Sequence, residues 1–178
     1  FSDNEGTIIR EEYTMTANKR IITGVADDTN VAKVSLIGVE NRPGVAHQVF
    51  QALAAENVDV DMIVQSIRTV DDEATDIVFT IALDDVVLAR DVLNKLKETL
   101  HMEQFVINEQ MAKVSIIGAG MLGQPGVAAQ MFGIFSEQDI NIEIISTSEI
   151  SITCLIAENR VKDAVKAIHE KLVIDERG

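Results

Sequence analysis

Hydrophobic and polar positions along the chain change period at regular intervals, and each change predicts an element. Val34, Leu36 and Val39 lie in a run rich in β-branched residues, closed by Gly38 and a Pro43-Gly44 pair, which reads as a buried strand. From there Val45, Ala46, Val49, Phe50, Leu53 and Ala54 recur at helical spacing, with Pro43 in a first turn that tolerates a missing N–H and Asn57 as the stop. Val58, Val60, Met62 and Val64 then alternate with Asp59, Asp61 and Ile63 as a half-buried strand. Asp71-Asp72-Glu73 predicts a solvated turn, and Ile77, Phe79 and Ile81 a third strand. A second helix follows Asp84-Asp85, with Ala89, Val92, Leu93, Leu96 and Leu100 on one face, and Phe105-Val106-Ile107 predicts a short closing strand. The order strand-helix-strand-strand-helix-strand is the split βαβ, or ferredoxin-like, arrangement.

The pattern then repeats. Lys33-Val34-Ser35-Leu36-Ile37-Gly38 returns as Lys113-Val114-Ser115-Ile116-Ile117-Gly118, and Pro43-Gly44-Val45-Ala46 as Pro125-Gly126-Val127-Ala128. Two extra residues fall within Ala119–Gln124, after which the copies stay in register at an offset of 82, through Gln48/Gln130, Phe50/Phe132, Ile63/Ile145 and Ser66/Ser148. A unit this long is no solenoid repeat and fits two similar small domains. The second copy predicts strand 112–118, helix 125–138, strand 141–147, strand 150–156 and helix 158–171, but only Leu172-Val173-Ile174 is left for a closing strand. A sheet one strand short would expose an unpaired edge. The spare strand Arg20–Ala26, ahead of the first copy, is expected to fill it. The predicted fold is therefore α+β: two ferredoxin-like βαββαβ domains, antiparallel sheets with helices on one face, the first (31–107) inserted into the second (19–27 plus 110–173).

Composition narrows the function. The chain has 178 residues, 47% of them hydrophobic but only 4% aromatic, and its 15 Lys and Arg against 29 Asp and Glu give a net charge of −14. Such a field repels polyphosphates, so nucleic acid is not expected as a partner; nor do the strands carry stacking aromatics. The single Cys154 excludes a disulfide framework, and His47, His101 and His169 make no spaced metal-ligand set. No apolar run approaches the roughly 20 residues of a membrane span and no secretory signal pattern opens the sequence, so an acidic cytoplasmic protein without a membrane partner is expected. No cofactor is expected either.

Two loops carry the candidate chemistry: Gly38–Gly44, and Gly118–Gly126. Each precedes a helix whose first N–H groups lack partners, which suits a carboxylate, and Gly44 and Gly126 allow close approach to the backbone. The bland alternative is that Pro-Gly merely punctuates a strand-to-helix turn. Gly118-Ala119-Gly120-Met121-Leu122-Gly123 also satisfies G-x-G-x-x-G, with Glu143 where a ribose-binding acid would stand. Against dinucleotide binding, the helix begins only after Pro125 and a hairpin order follows. His47 reads as exposed, Cys154 as core, and no acid–base pair accompanies a nucleophile.

Ile37–Ala46, Asp61-Met62-Ile63-Val64-Gln65, Thr75–Thr80, Gly118-Ala119-Gly120-Met121 and Asn141–Ile150 together make the chain resemble the regulatory, tandem ACT-domain region of bacterial aspartokinases, over about residues 19–173. Residues 1–18 look like the end of the kinase domain that precedes this region. The Lys-Phe-Gly-Gly type motif of the kinase is missing, so the resemblance implies a regulatory subunit or an excised portion without ATP and aspartate sites; the complete enzyme would be an aspartate kinase, and the kinase domain or subunit a partner. It also implies a homodimer in which the first ACT unit of one chain pairs side by side with the second of its partner. Threonine, lysine or both would bind at the seams as feedback inhibitors. One site would use Asn41, Pro43, Gly44, Val45, Ala46 and Gln65, with Asn141 and Ile142 from the other unit. The second would use Met121, Gln124, Gly126, Val127 and Ala128, facing Asp61, Ser148 and Glu149. Asn41 stands where the family often has Asp, and a neutral amide neutralises no ammonium. A ligand-free assembly module and a nucleotide-binding protein using Gly118–Gly123 are the other readings.

Overall fold

The computed structural model describes residues 21–67 and 74–173. The expected kinase-end segment 1–18, the turn Asp71-Asp72-Glu73 and Ile174 lie outside these residues. Among the described residues six strands and four α-helices follow one another: β1 (Gly24–Glu40), α1 (Val45–Ala55), β2 (Val60–Ile67), β3 (Ala74–Ile81), α2 (Val86–Thr99), β4 (Gln104–Ile117), α3 (Val127–Glu137), β5 (Ile144–Thr147), β6 (Ser151–Ala157) and α4 (Val161–Ile168). The strands form one antiparallel sheet in the order β2-β3-β1-β4-β6-β5.

The expected spare strand, of which Arg20 lies outside the described residues, completes the second sheet from Gly24 onward, but not as a separate element. Gly24–Asp28 pairs with Lys113–Ile117, whereas Lys33–Ile37 of the same strand pairs with Gln104–Asn108. β1 and β4 each run through both copies, so the two four-stranded sheets fuse into one. Asp27-Asp28-Thr29-Asn30 and Glu109-Gln110, polar enough to resemble loops, stay extended because the two strands satisfy each other's backbone groups there. Register shifts on both sides of Val31 mark the junction.

Those shifts keep all four helices on one face of the sheet. Ala32, Val34 and Leu36 reach a core with α1 and α2 that holds Val49, Leu53, Phe79 and Leu93. Ala112, Val114 and Ile116 reach a second core with α3 and α4 that holds Met131, Phe135, Cys154 and Ile168. A third cluster on the helix-free face draws Met62 from β2, Val78 from β3, Val31 from β1, Met111 from β4, Leu155 from β6 and Ile144 from β5. One cluster with a residue from every strand requires the sheet to curl until its outer strands approach each other.

Element ends differ from the predicted ones for local reasons. α1 and α3 begin two residues after their prolines, because Gly44 (φ 93°) and Gly126 (φ 97°) adopt left-handed backbone as N-caps. Asn57, at φ 58°, does end the first helical segment. The predicted helix 158–171 is a 3₁₀ turn at Glu158–Arg160, then α4, then a π turn at His169–Val173. Arg160 turns back to donate to the carbonyls of Gln138 (2.6 Å) and Asp139 (2.9 Å), closing the end of α3. No helix among the described residues is long and apolar enough to cross a membrane.

Candidate ligand-binding site

Both Pro-Gly loops deliver the chain into a helix in the same way. The glycine caps the helix with left-handed backbone, and its carbonyl accepts the first helical bond, from Gln48 in one copy and Gln130 in the other, each at 3.0 Å. Neither cap offers a side chain to the first-turn N–H groups. A β-carbon at Gly44 or Gly126 would meet no atom within 4 Å, so the space above each cap is open. Two helix ends with uncapped donors and open approach are suited to an anionic group.

The second loop closes a cavity of about 260 Å³ around this geometry. Its two extra residues fold into a 3₁₀ turn, Ala119–Met121, which buries Met121. Met121, Gln124, Gly126, Val127 and Ala128 line one side of the cavity, and Thr147, Ser148 and Glu149 the other, over Ile152. The Ser148–Ser151 turn is held by the hydroxyl–hydroxyl contact of 2.7 Å, by the Ser151 N–H donating to Ser148 Oγ (3.1 Å) and by the Ser148 N–H donating to the Ser151 carbonyl (2.8 Å). The start of α3, with its uncapped backbone donors, and the acidic residue Glu149 thus line one cavity of amino-acid size. Asp61 does not line this cavity: its carboxylate is 2.8 Å from Lys113 Nζ.

The first loop is more open. Asn41, Pro43 and Gly44 are exposed, Val45 is buried beneath them, Ala46 is half-buried, and Gln65 stands exposed on edge strand β2 opposite Ile77. Arg42 Nε donates to Glu40 at 2.7 Å, and that hydrogen bond holds the Glu40 carboxyl below its usual range, with the His101 ring 3.8 Å away. Asn141 and Ile142 lie elsewhere in the chain, in the wall of a cavity of about 420 Å³ with Phe132, Ser136, Asp139 and Ile140.

Other candidates resolve plainly. Gly118 is needed by the fold: a β-carbon there would stand 2.0 Å from the Ile21 carbonyl oxygen, so the close approach it permits is to the chain itself. With an antiparallel sheet around it, this loop is not the phosphate-binding turn of a doubly wound fold. Cys154 is fully buried and burial pushes its thiol up to about 12. His47 is exposed on α1.

A family model of the ACT domain matches the chain twice, over residues 34–96 and 114–172. The chain belongs to the ACT-domain family. It is 42% identical over 173 residues to an aspartokinase of Mycolicibacterium smegmatis, a match covering 96% of this chain and 41% of that protein. The chain thus spans about two-fifths of the length of such curated relatives. The ligand-free regulatory subunit of aspartate kinase from Thermus thermophilus superposes with a TM-score of 0.79 at 35% identity, over 84% of this chain and 97% of that one. The aspartate kinase of Synechocystis gives a TM-score of 0.82 at 40% identity, over 91% of this chain and 28% of that one. This tandem ACT pair is a regulatory region of the aspartokinase kind.

Sequence reasoning held Leu122 and Gly123 only as part of a nucleotide-motif candidate and did not include Thr147 and Ile152 among the site residues, yet all four line the second cavity of the ACT pair. The two extra residues in that loop were the available signal. It also passed over Lys33 as a site residue, whose ammonium lies 2.6 Å from Glu143 beside Asn141.

Proposed function

We propose that this chain senses a free amino acid, threonine or lysine or both, and through it imposes feedback inhibition on an aspartate kinase catalytic domain or subunit in the cytoplasm. The observation that carries the reading is the second-loop cavity, lined by the start of α3, whose helix end has no side-chain cap, and by Ser148 and Glu149. The backbone donors take the α-carboxylate, Glu149 and the Ser148 hydroxyl take the ammonium, and small Ala128 leaves room for the ligand side chain. The first loop, with Asn41, Pro43, Gly44, Val45, Ala46 and Gln65, repeats the cap geometry and is completed by Asn141 and Ile142 of a partner chain. Met121, Gln124, Gly126 and Val127 form the second site, and Asp61 joins it from the partner. The units are residues 31–107, and 19–27 plus 110–173.

The outermost strands supply the seam. β2 and β5 end the sheet, and Ile63 (51% exposed), Val64 and Ile145 stand uncovered on them. Pairing β2 of one chain with β5 of its partner covers these side chains, extends the sheet and repeats by two-fold symmetry. A ligand that touches both chains binds the dimer better than separate chains and stabilises one arrangement. If that arrangement disfavours the kinase, inhibition follows with a coupling of about 1–3 kcal/mol per effector.

Calorimetric titration of the whole chain with threonine and with lysine, paired with sedimentation, tests this. The expected result is binding heat with at least one of them and tighter dimerisation in its presence. The exposed edges also favour a second reading, an assembly module that needs no ligand. Identical dimerisation with and without either amino acid, and no heat, would select it.

A further inference from the structure

Two ion pairs cross the helix-free face of the ACT pair, and they are reciprocal. Lys33 and Lys113 are counterparts in the repeat, as are Asp61 and Glu143. Lys33 of the first copy donates to Glu143 of the second at 2.6 Å, and Lys113 of the second donates to Asp61 of the first at 2.8 Å. Each lysine reaches the acid at the equivalent position of the other copy. A chance surface contact between long, mobile side chains has no reason to recur with that symmetry.

Glu143 has a second partner. Its Oε2 receives Lys33, while its Oε1 receives the side-chain nitrogen of Asn141 at 3.2 Å. A carboxylate only accepts, so the amide limb turned toward it must be the NH₂ limb. The amide is planar, so its oxygen, Oδ1, points to the other side. Asn141 itself is exposed in the wall of the cavity it shares with Phe132, Ser136 and Ile142. An oxygen held outward in that way suits an ammonium or hydroxyl donor.

We infer that Lys33 and Glu143 are positioning residues: Lys33 fixes the Glu143 carboxylate, and Glu143 fixes the Asn141 amide so that its carbonyl oxygen faces an effector. The identity of that effector as an amino acid rests on the function proposed above. Because Lys33 belongs to the first copy and Asn141 to the second, a ligand held by Asn141 also reads the placement of one copy against the other.

The whole chain is compared as wild type, Lys33→Met, and the exchange Lys33→Glu with Glu143→Lys. Lys33→Met is expected to weaken threonine or lysine binding about tenfold, the effect of one misaimed acceptor. The exchange restores opposite charges and the thermal midpoint, yet a lysine at 143 cannot accept from Asn141, so affinity stays low. If the exchange recovers affinity along with the midpoint, the pair is only a strut and the inference is wrong. A second measurement needs no effector: by NMR, Glu143 titrates at a higher pH in Lys33→Met than in wild type, and the Asn141 NH₂ signals move with it. Unchanged titration and signals overturn the inference even where an amino acid binds. If wild type binds neither amino acid while both NMR responses appear, the orienting network stands and the effector reading fails.

Discussion

The two ACT copies fill equivalent cores from opposite sides. In the first, the strand supplies Phe79 and the helix Leu53; in the second, the strand supplies Cys154 and the helix Phe135, and all four are fully buried. Phe79 lies opposite Val34 and Cys154 opposite Val114, the matching ladder positions, and Leu53 and Phe135 hold the same place in the repeat. What the copies share is one aromatic ring between one strand and one helix, free to come from either, with a smaller partner opposite it. Packing to a fixed density tolerates such exchanges better than it tolerates a gain or loss at one position.

The sharpest break between the copies is expected at their first glycines. Gly118→Ala drives a β-carbon to 2.0 Å from the Ile21 carbonyl and 2.8 Å from the Ile22 Cα, both backbone, so the strand entry must move. A loss of at least about 3 kcal/mol is expected, measured by urea unfolding. Its counterpart Gly38 (φ 65°) would meet the Glu103 side chain rather than backbone, so Gly38→Ala should cost the backbone term of about 1–2 kcal/mol together with the displacement of Glu103, and less than Gly118→Ala. Equal losses would show that Ile21 is not held against the second copy.

The core exchange comes next. Phe79→Cys should lose about 2–4 kcal/mol, since it deletes a ring that also packs edge-on against Phe50 at 5.4 Å. Adding Leu53→Phe gives the first core the second core's solution, and should recover a measurable part of that loss. No recovery would mean that the ring's place is fixed separately in each copy.

Much of this architecture was legible because it repeats at short range. Helical spacing in Val45–Ala54, alternation in Ile77–Ile81 and the returning Lys-Val-Ser and Pro-Gly-Val-Ala strings carry the elements, and the missing closing strand pointed to Arg20–Ala26. The fusion of two sheets into one was not legible. Asp27–Asn30 is locally a turn sequence, and it is extended only because β4 runs beside it. The cavity-lining residues Met121, Gln124, Gly126, Val127, Ala128, Ser148 and Glu149 could be anticipated from family resemblance. Lys33 and Glu143 could not be paired from local pattern, because they meet across 110 positions and only the curl of the sheet brings them together.

The left-handed caps are where the copies should behave alike. Gly44→Ala and Gly126→Ala each force a methyl-bearing residue to φ near 95°, with open space around the new carbon, so strain is the whole effect. About 1–2 kcal/mol is expected for both. If Gly126→Ala weakens amino-acid binding further than its stability loss requires, the approach to the α3 backbone is being used by ligand as well as by the fold.

The smallest effects separate the two crossing ion pairs by pH. Lys33 holds Glu143 below the ordinary carboxylate value of 4.5, through its hydrogen bond first and against the opposing effect of burial. A depressed acid contributes stability that is complete above 4.5 and is lost as pH falls through its folded value. Lys113 is the opposite case: burial alone would lower it, but hydrogen bonds to Asp61 and Asp28 outweigh burial and raise it above 10.5. Its contribution is complete below 10.5 and is lost as pH rises through the folded value. Lys33→Met should therefore flatten the acid limb of the stability profile, and Lys113→Met the alkaline limb. Both pairs are partly solvated, with Glu143 36% and Asp61 63% exposed, so each change should stay within about 1 kcal/mol. Glu40, lowered chiefly by its hydrogen bond from Arg42, shares the acid limb, so the comparison is made in a Glu40→Gln background. Thermal midpoints at acid, neutral and alkaline pH give the answer. A variant that shifts both limbs equally would mean that the two latches open together and that the copies move as a single body.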